Sequence, residues 1–226
     1  MTVCIHQPEH LPWLGLIHKI AISDIYVVLD NVQFKKNYLE KRNKIYTVQG
    51  WKWLTLPVRM QGHIDKNFFE MELVDGWKRK YLATLQQNYR KAPYFKDIEH
   101  ILALIENYED NSLADLNLMI IQEICAVLEI DTIIKRAKDM EVKGNKTLLL
   151  IDILNQLRAT EYIVGKSGFD YMDLNIFEEN NIKLKTHIFN HPKYVPFNFS
   201  ELTDYPTCID VIANLGKIKV MELIKV

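Results

Sequence analysis

Apolar residues change their spacing several times along the first thirty positions, and each change predicts an element. Residues 2–6, Thr-Val-Cys-Ile-His, form a short apolar strand candidate. Gln7-Pro8-Glu9-His10-Leu11-Pro12 interrupts it, and both prolines bias their predecessors away from helical dihedrals. Leu14, Ile17, Ile20 and Ala21 then recur at helical spacing within residues 13–22, with Ser23-Asp24 as the stop. Residues 25–29, Ile-Tyr-Val-Val-Leu, are β-formers without polar alternation. Such a run suits a strand covered on both faces, as in a parallel sheet. The opening therefore reads strand, loop, helix, strand, with Asp30 at the carboxyl end of the second strand.

Residues 31–44 are polar and basic. Strand candidates around 44–47 and 51–58, with Gln49-Gly50 as the turn, read as a hairpin. From about 76 to 128 the spacing turns helical, over 77–89, 93–108 and 112–128, and Ser112 is a good N-cap. The alternation of strand and helix then returns. Strands are predicted at 130–134 and 161–164, helices at 147–157 and 175–180, an edge strand at 182–189, and a last helix at 208–215 with Gly216 near its end.

This rhythm predicts an α/β fold, a mostly parallel Rossmann-like sheet with a helical insert. Residues 1–226 are expected to form one domain, with the helical block at about 76–128. Ligands in such sheets sit at the carboxyl ends of strands. Three polar loops qualify, at 6–12, 30–43 and 165–173, and they are expected to converge.

Composition narrows the function classes. The 226 residues are 48% hydrophobic and 25% charged, well away from disordered composition. A formal charge of -1 supplies no global field for nucleic acid, so no nucleic-acid partner is expected. Cys4, Cys125 and Cys208 are widely spaced and odd in number, which argues against a disulfide framework or a zinc site. The first residues show neither a basic nor an apolar leader region, and no apolar run approaches the ~18 residues that span a bilayer. A cytoplasmic location without a transmembrane segment is the expectation.

Four stretches carry candidate chemistry. In the first loop, Gln7 and Trp13 are candidate substrate contacts, and His10 is a candidate general acid or base beside a helix N-terminus that favours anions. A rigid proline-bracketed turn is the plainer reading of that loop. In the second, Asp30 stands at a strand end, where a carboxylate can hold a sugar hydroxyl. Gln33 and Asn43 join it, and Lys35, Lys36 and Arg42 could clamp phosphates. A solvated basic hairpin would carry the same residues.

Gly165-Lys166-Ser167-Gly168 in the third stretch lacks a P-loop's leading glycine, because Thr160 occupies that position. It reads as a small-residue loop with Ser167 and Asp170 facing ligand. In the fourth, His187 and His191 have the four-residue spacing of helical metal ligands but lie on strand-like sequence, so no metal is expected. His191 and Tyr194 are kept as a catalytic and a substrate-binding candidate.

Together these loops resemble a known family. Gln7-Pro8-x-x-Leu11-Pro12-Trp13-x-Gly15, Lys19-Ile20, Ser23-Asp24 and Leu29-Asp30-x-Val32-Gln33-Phe34 are similar to the opening of the WbqC-like proteins. Arg42-Asn43, Trp53-Leu54-Thr55, Lys91-Ala92-Pro93-Tyr94-Phe95, Asp115-Leu116-Asn117, Gly144-x-Lys146-Thr147, Ser167-Gly168 and His191-Pro192-x-Tyr194 continue the likeness. His10 departs from it, standing where an aromatic tyrosine is common, which weakens a family-wide catalytic role for that histidine. The resemblance implies a role in bacterial O-antigen or capsule synthesis, as a transferase that acylates the amine of a nucleotide-linked amino sugar, with glycine as one candidate acyl group.

The acyl donor would be a thioester, on a carrier or otherwise, or an ATP-made adenylate. A strand, histidine-bearing loop, helix and strand also open the nucleotidyltransferases related to pantothenate synthetase, although their His-x-Gly-His signature is missing here. The alternatives are an ATP-dependent acyl-adenylate ligase and a non-catalytic sugar-nucleotide-binding partner in a polysaccharide-assembly complex.

Overall fold

A computed structural model describes residues 1–36, 38–170 and 172–225. Asn37 and Tyr171, which belong to two of the loops above, lie outside the described residues. Five parallel strands make the main sheet: β1 (Thr2–His6), β2 (Ile25–Val28), β5 (Ile133–Arg136), β6 (Glu161–Val164) and β7 (Lys183–Thr186). Their order across the sheet is β5-β2-β1-β6-β7. The chain builds outward from β1 to one edge and then returns to build the other side. The direction of winding reverses between β1 and β6, which is where a doubly wound sheet opens a crevice. The fold is α/β, and the sheet is parallel throughout.

Alternate residues of each strand feed two cores, as a period of two requires. Cys4, Tyr26, Val28 and Ile163 face one side, against Leu14, Ile17 and Ile20 of α1 (Leu14–Ala21) and Ile209 and Ile212 of α7 (Cys208–Leu215). Val3, Ile5, Val27, Tyr162 and Val164 face the other, against Ile153 and Leu154 of α5 (Lys146–Gln156) and Phe177 of α6 (Leu174–Glu179). Helix α1 has eight residues, too few to persist alone in water. Its buried leucines and isoleucines, worth roughly 1.5–3 kcal/mol each, hold it in place.

Helices α2 (Trp77–Tyr89), α3 (Lys96–Asn107) and α4 (Leu113–Val127) follow one another, and α3 packs on both α4 and α7. Ser112 caps α4 by accepting from the Asp115 amide at 3.2 Å. The hairpin, β3 (Arg42–Thr47) and β4 (Gly50–Thr55), is a separate antiparallel sheet. The Lys44 carbonyl accepts from Thr207 N–H, and Thr207 pairs in turn with Trp13, so the hairpin lies beside the first loop.

Two elements differ from the sequence pattern. β5 begins three residues later than predicted, because Glu129 takes a positive φ of 55° and pairing with Ile25 sets the strand at Ile133. Gly216 marks a bend, not a stop, since α8 (Lys217–Ile224) follows it directly. No helix among the described residues is long and apolar enough to cross a membrane. The three cysteines are free and buried.

Candidate functional site

A cleft of about 650 Å³ opens at the carboxyl ends of β1 and β6. His6 and Glu9 come from the loop after β1, Leu39 from the loop after β2, and Gly165, Lys166 and Ser167 from the loop after β6. All three predicted loops thus contribute to one concavity at the reversal point. Trp13, Phe189 and Tyr205 supply aromatic walls, while Lys19 and His187 add polar groups. A second hollow of about 360 Å³ shares Trp13, Leu39 and Tyr205 and is completed by Asn43, Lys44 and Trp53.

The first loop is built to hold one shape. Leu11 adopts a positive φ of 44° although it is a branched, fully buried residue, a costly conformation that its surroundings must impose. The Asn43 side-chain amide donates to the Leu11 carbonyl at 2.9 Å, and the Pro12 carbonyl accepts from Cys208 N–H at 2.7 Å. Asn117 donates to both the Pro8 and the Glu40 carbonyls, at 2.9 and 2.6 Å. His10 N–H donates to the Leu39 carbonyl at 2.8 Å. The loops after β1 and β2 are therefore stitched together.

The His10 side chain completes that stitching and lies away from the cleft. It is fully buried, donates from Nδ1 to Asn117 Oδ1 at 2.8 Å and accepts at Nε2 from the Tyr81 hydroxyl at 2.5 Å. Burial lowers its pKa to about 4, so it is neutral at pH 7.

Glu9, one residue earlier, faces the cleft. It is 5% exposed, and its Oε2 meets no donor among the described residues. Burial, with Glu40 adding like charge, raises its pKa to about 8. Glu40 is equally enclosed, and burial raises it to about 7. His6 donates from Nδ1 to the Gln7 carbonyl at 2.8 Å and turns Nε2 toward Glu9 Oε1, 4.0 Å away. Burial and the charge of Lys19 lower His6 to about 4. Lys19 itself is 4% exposed, with its ammonium 3.5 Å from the Ile5 carbonyl, and burial lowers its pKa.

Trp13 lines both the cleft and the second hollow. Its ring stacks on His191 at 17° between planes and meets Phe189 and Tyr205 edge-on. Gly15 makes this possible, since a Cβ there would fall 2.1 Å from the indole. His191 donates from Nδ1 to the Pro192 carbonyl, which leaves Nε2 as an enclosed acceptor with no donor among the described residues. His187 shares a proton with His18 across 2.9 Å and does not pair with His191. Among the described residues no group of three or more His, Cys, Asp or Glu side chains could hold a metal.

The other sequence candidates scatter. Asp30 is fully buried, bridged to Arg136 at 2.7 Å and accepting from Lys138 N–H, and it does not line the cleft. Arg136 also pairs with Asp115. Tyr194 is buried and donates to Asp210 Oδ1 at 2.6 Å. Gln33 is exposed and donates to the Ile64 carbonyl. Gln7 is half-buried beside the cleft residue His6. Lys35, Lys36 and Asp170 are exposed and line neither hollow. Arg42 lies over the Trp53 ring at 4.4 Å, behind the second hollow. Of the candidate set, Trp13 and Ser167 line the main cleft, Trp13 and Asn43 the second hollow, and His191 backs Trp13.

Glu9, Lys19, His6 and Tyr205 are among the cleft residues that sequence reasoning did not select for the site. Glu9 lay inside the flagged loop, but the neighbouring histidine drew the chemical reading. Lys19 carried a signal, as a cation among the apolar positions of a helix.

Comparison with known proteins adds a family. The model of the WbqC-like protein family matches residues 7–222. A Mycobacterium tuberculosis protein named Uncharacterized protein Rv1507c is 34% identical over 185 residues, covering 80% of each chain. No solved structure matches the chain.

Proposed function

We propose, on the premise that the chain belongs to the WbqC-like family, that it transfers an acyl group to the amine of a nucleotide-linked amino sugar at the cleft between β1 and β6. One observation carries the reading: a reversal-point cleft that presents an enclosed carboxyl, Glu9, titrating near neutral pH. A general base works best when its pKa lies near the operating pH. Trp13 and Tyr205 offer flat walls for a sugar ring, and the adjoining hollow by Trp53 suits a nucleobase. Lys166, Ser167 and the first turn of α1 lie on the side where phosphates would be held.

In this scheme the free amine attacks the acyl carbonyl carbon. A C–N bond forms, and the carbonyl's bond to a thioester sulfur or adenylate oxygen breaks, with the electron pair leaving on the donor. Glu9, as carboxylate, takes the proton that the nitrogen sheds. Lys19 stabilises that carboxylate. A place in O-antigen or capsule synthesis follows from the same substrate class.

The test is incubation of the protein with UDP- and dTDP-linked amino sugars and a panel of acyl thioesters, or acids plus ATP, read by mass spectrometry. A mass gain on the amino sugar supports the reading, and its dependence on ATP separates the two donors. Binding without turnover across the panel would favour a sugar-nucleotide-binding partner instead. Binding is read by thermal shift, where a ligand at a hundred times its Kd stabilises by about 2.7 kcal/mol.

A further inference from the structure

Two carboxyl groups on the stitched loops after β1 and β2 have an enclosed oxygen with no hydrogen-bond donor among the described residues, Glu9 Oε2 and Glu40 Oε2. Folded proteins leave few such atoms, and each calls for a reason. The two are neighbours by construction. Asn117 ties the Pro8 carbonyl to the Glu40 carbonyl, and His10 N–H ties the next turn of the loop to Leu39. Glu9 lies between those two ties and lines the cleft, and Glu40 is close enough for its charge to raise the Glu9 pKa. They are 5% and 4% exposed.

We infer that Glu9 and Glu40 form a proton-sharing carboxyl pair that receives a primary ammonium group of the ligand. The inference rests on the acyl-acceptor reading above and deepens it, by assigning the group that recognises the amine. An ammonium offers three donors and a positive charge, so it can satisfy both orphaned oxygens at once. A sugar hydroxyl has one proton to donate and satisfies one of them. Lys19, the nearest buried cation, directs its ammonium to the Ile5 carbonyl and forms no ion pair with either carboxyl.

The charge balance predicts a proton count. Glu9 faces Glu40, Lys19 and the neutral His6, and also senses the buried Tyr26 and Cys208, while Glu40 faces Lys35. Without ligand at pH 7 the pair holds at least one proton, because both carboxyls are raised. An arriving ammonium favours the ionised pair, and the shared proton leaves to solvent. Discrimination between an amine and a hydroxyl then resides in this pair.

Carboxyl carbon NMR on glutamate-labelled protein tests this directly at pH 7, with Glu9→Gln and Glu40→Gln used for assignment. The probes are glucosamine and glucose, each at millimolar concentration, then UDP-glucosamine and UDP-glucose. The expected result is movement of both signals toward their ionised positions with glucosamine but not with glucose. Calorimetry of UDP-glucosamine in two buffers of different ionisation enthalpy should show a proton released on binding. Glu9→Gln should abolish that release and weaken the amine form about tenfold or more, as loss of a charge-assisted hydrogen bond does, with UDP-glucose unaffected.

Carboxyl signals in the wild-type protein that ignore glucosamine would overturn the inference, whatever the variants do. A response to glucosamine without one to UDP-glucosamine would keep the ammonium site and remove the nucleotide from the proposed substrate.

Discussion

Replacing Glu9 with glutamine should stabilise the protein at neutral pH while damaging the cleft. Burial and the nearby Glu40 hold the Glu9 pKa at about 8 in the folded chain, against an ordinary value of 4.5. Between those two values the folded chain keeps a proton that the unfolded chain has released. Raising the pH through that window therefore favours unfolding. At pH 7 the unfavourable span is about 2.5 pH units, worth about 3 kcal/mol at 1.36 kcal/mol per unit.

Glutamine preserves the shape and cannot ionise. Its amide brings a burial cost of its own, but that cost does not change with pH, so the informative quantity is the change in the mutant-minus-wild-type difference between about pH 4.5 and about pH 7.5. Urea titrations at both values should show the difference moving by about 3 kcal/mol in favour of glutamine. In thermal melts of a chain this size, that is roughly 6–12 °C. Glu40 titrates in the same window, and removing its charged neighbour eases its own ionisation, which moves the result in the same direction. A difference independent of pH would refute the reasoning, because Glu9 would then ionise as freely in the folded chain as in the unfolded one.

Three other perturbations probe the scaffold. Asp30→Asn removes the fully buried partner of Arg136 and should cost about 3 kcal/mol in urea denaturation, near the lower end of the range for a broken buried pair because Asp115 still holds the guanidinium. Asp210→Ala strands the Tyr89 and Tyr194 hydroxyls and the Tyr46 amide, each bonded to that carboxylate, and should cost about 3 kcal/mol or more by the same measurement. Gly15→Ala places a methyl 2.1 Å from the Trp13 ring, so the indole must swing off His191; tryptophan fluorescence should shift and binding of any cleft ligand should weaken about tenfold.

The sequence makes the scaffold legible wherever local chemistry decides the outcome. The predicted bounds of β6 and α7 agree with the structure to the residue, because Gly165 and Thr207 punctuate them. The parallel sheet is anticipated by the apolar run of β2, and the edge place of β7 by its alternation. Where partners are distant, the sequence is silent. Asp30 has the strand-end position of a ligand-binding carboxylate, but its partner Arg136 is 106 residues away. Asn43 reads as a sugar contact, yet its amide reaches back 32 residues to pin Leu11. Tyr194 answers to Asp210, a carboxylate within a helix for which the pattern predicts no chemistry. The restart of a helix after Gly216 depends on how α8 packs on α1 and α7, which no local signal records.

The same contrast explains why Glu9 and not His10 is the group to follow. Both occupy one proline-bracketed loop, and histidine is the more familiar acid–base residue. His10, however, has both ring nitrogens satisfied by Asn117 and Tyr81, so the fold uses up its chemistry in holding the loop. Glu9 is left with an unanswered oxygen and a proton that it holds at neutral pH. Stability alone would select against such a group, because an apolar residue of similar size would fill the space without the ionisation cost. Retaining a destabilising carboxyl at the reversal point of the sheet, framed by three loops that are bonded to one another, is the pattern expected when a ligand supplies the missing partner.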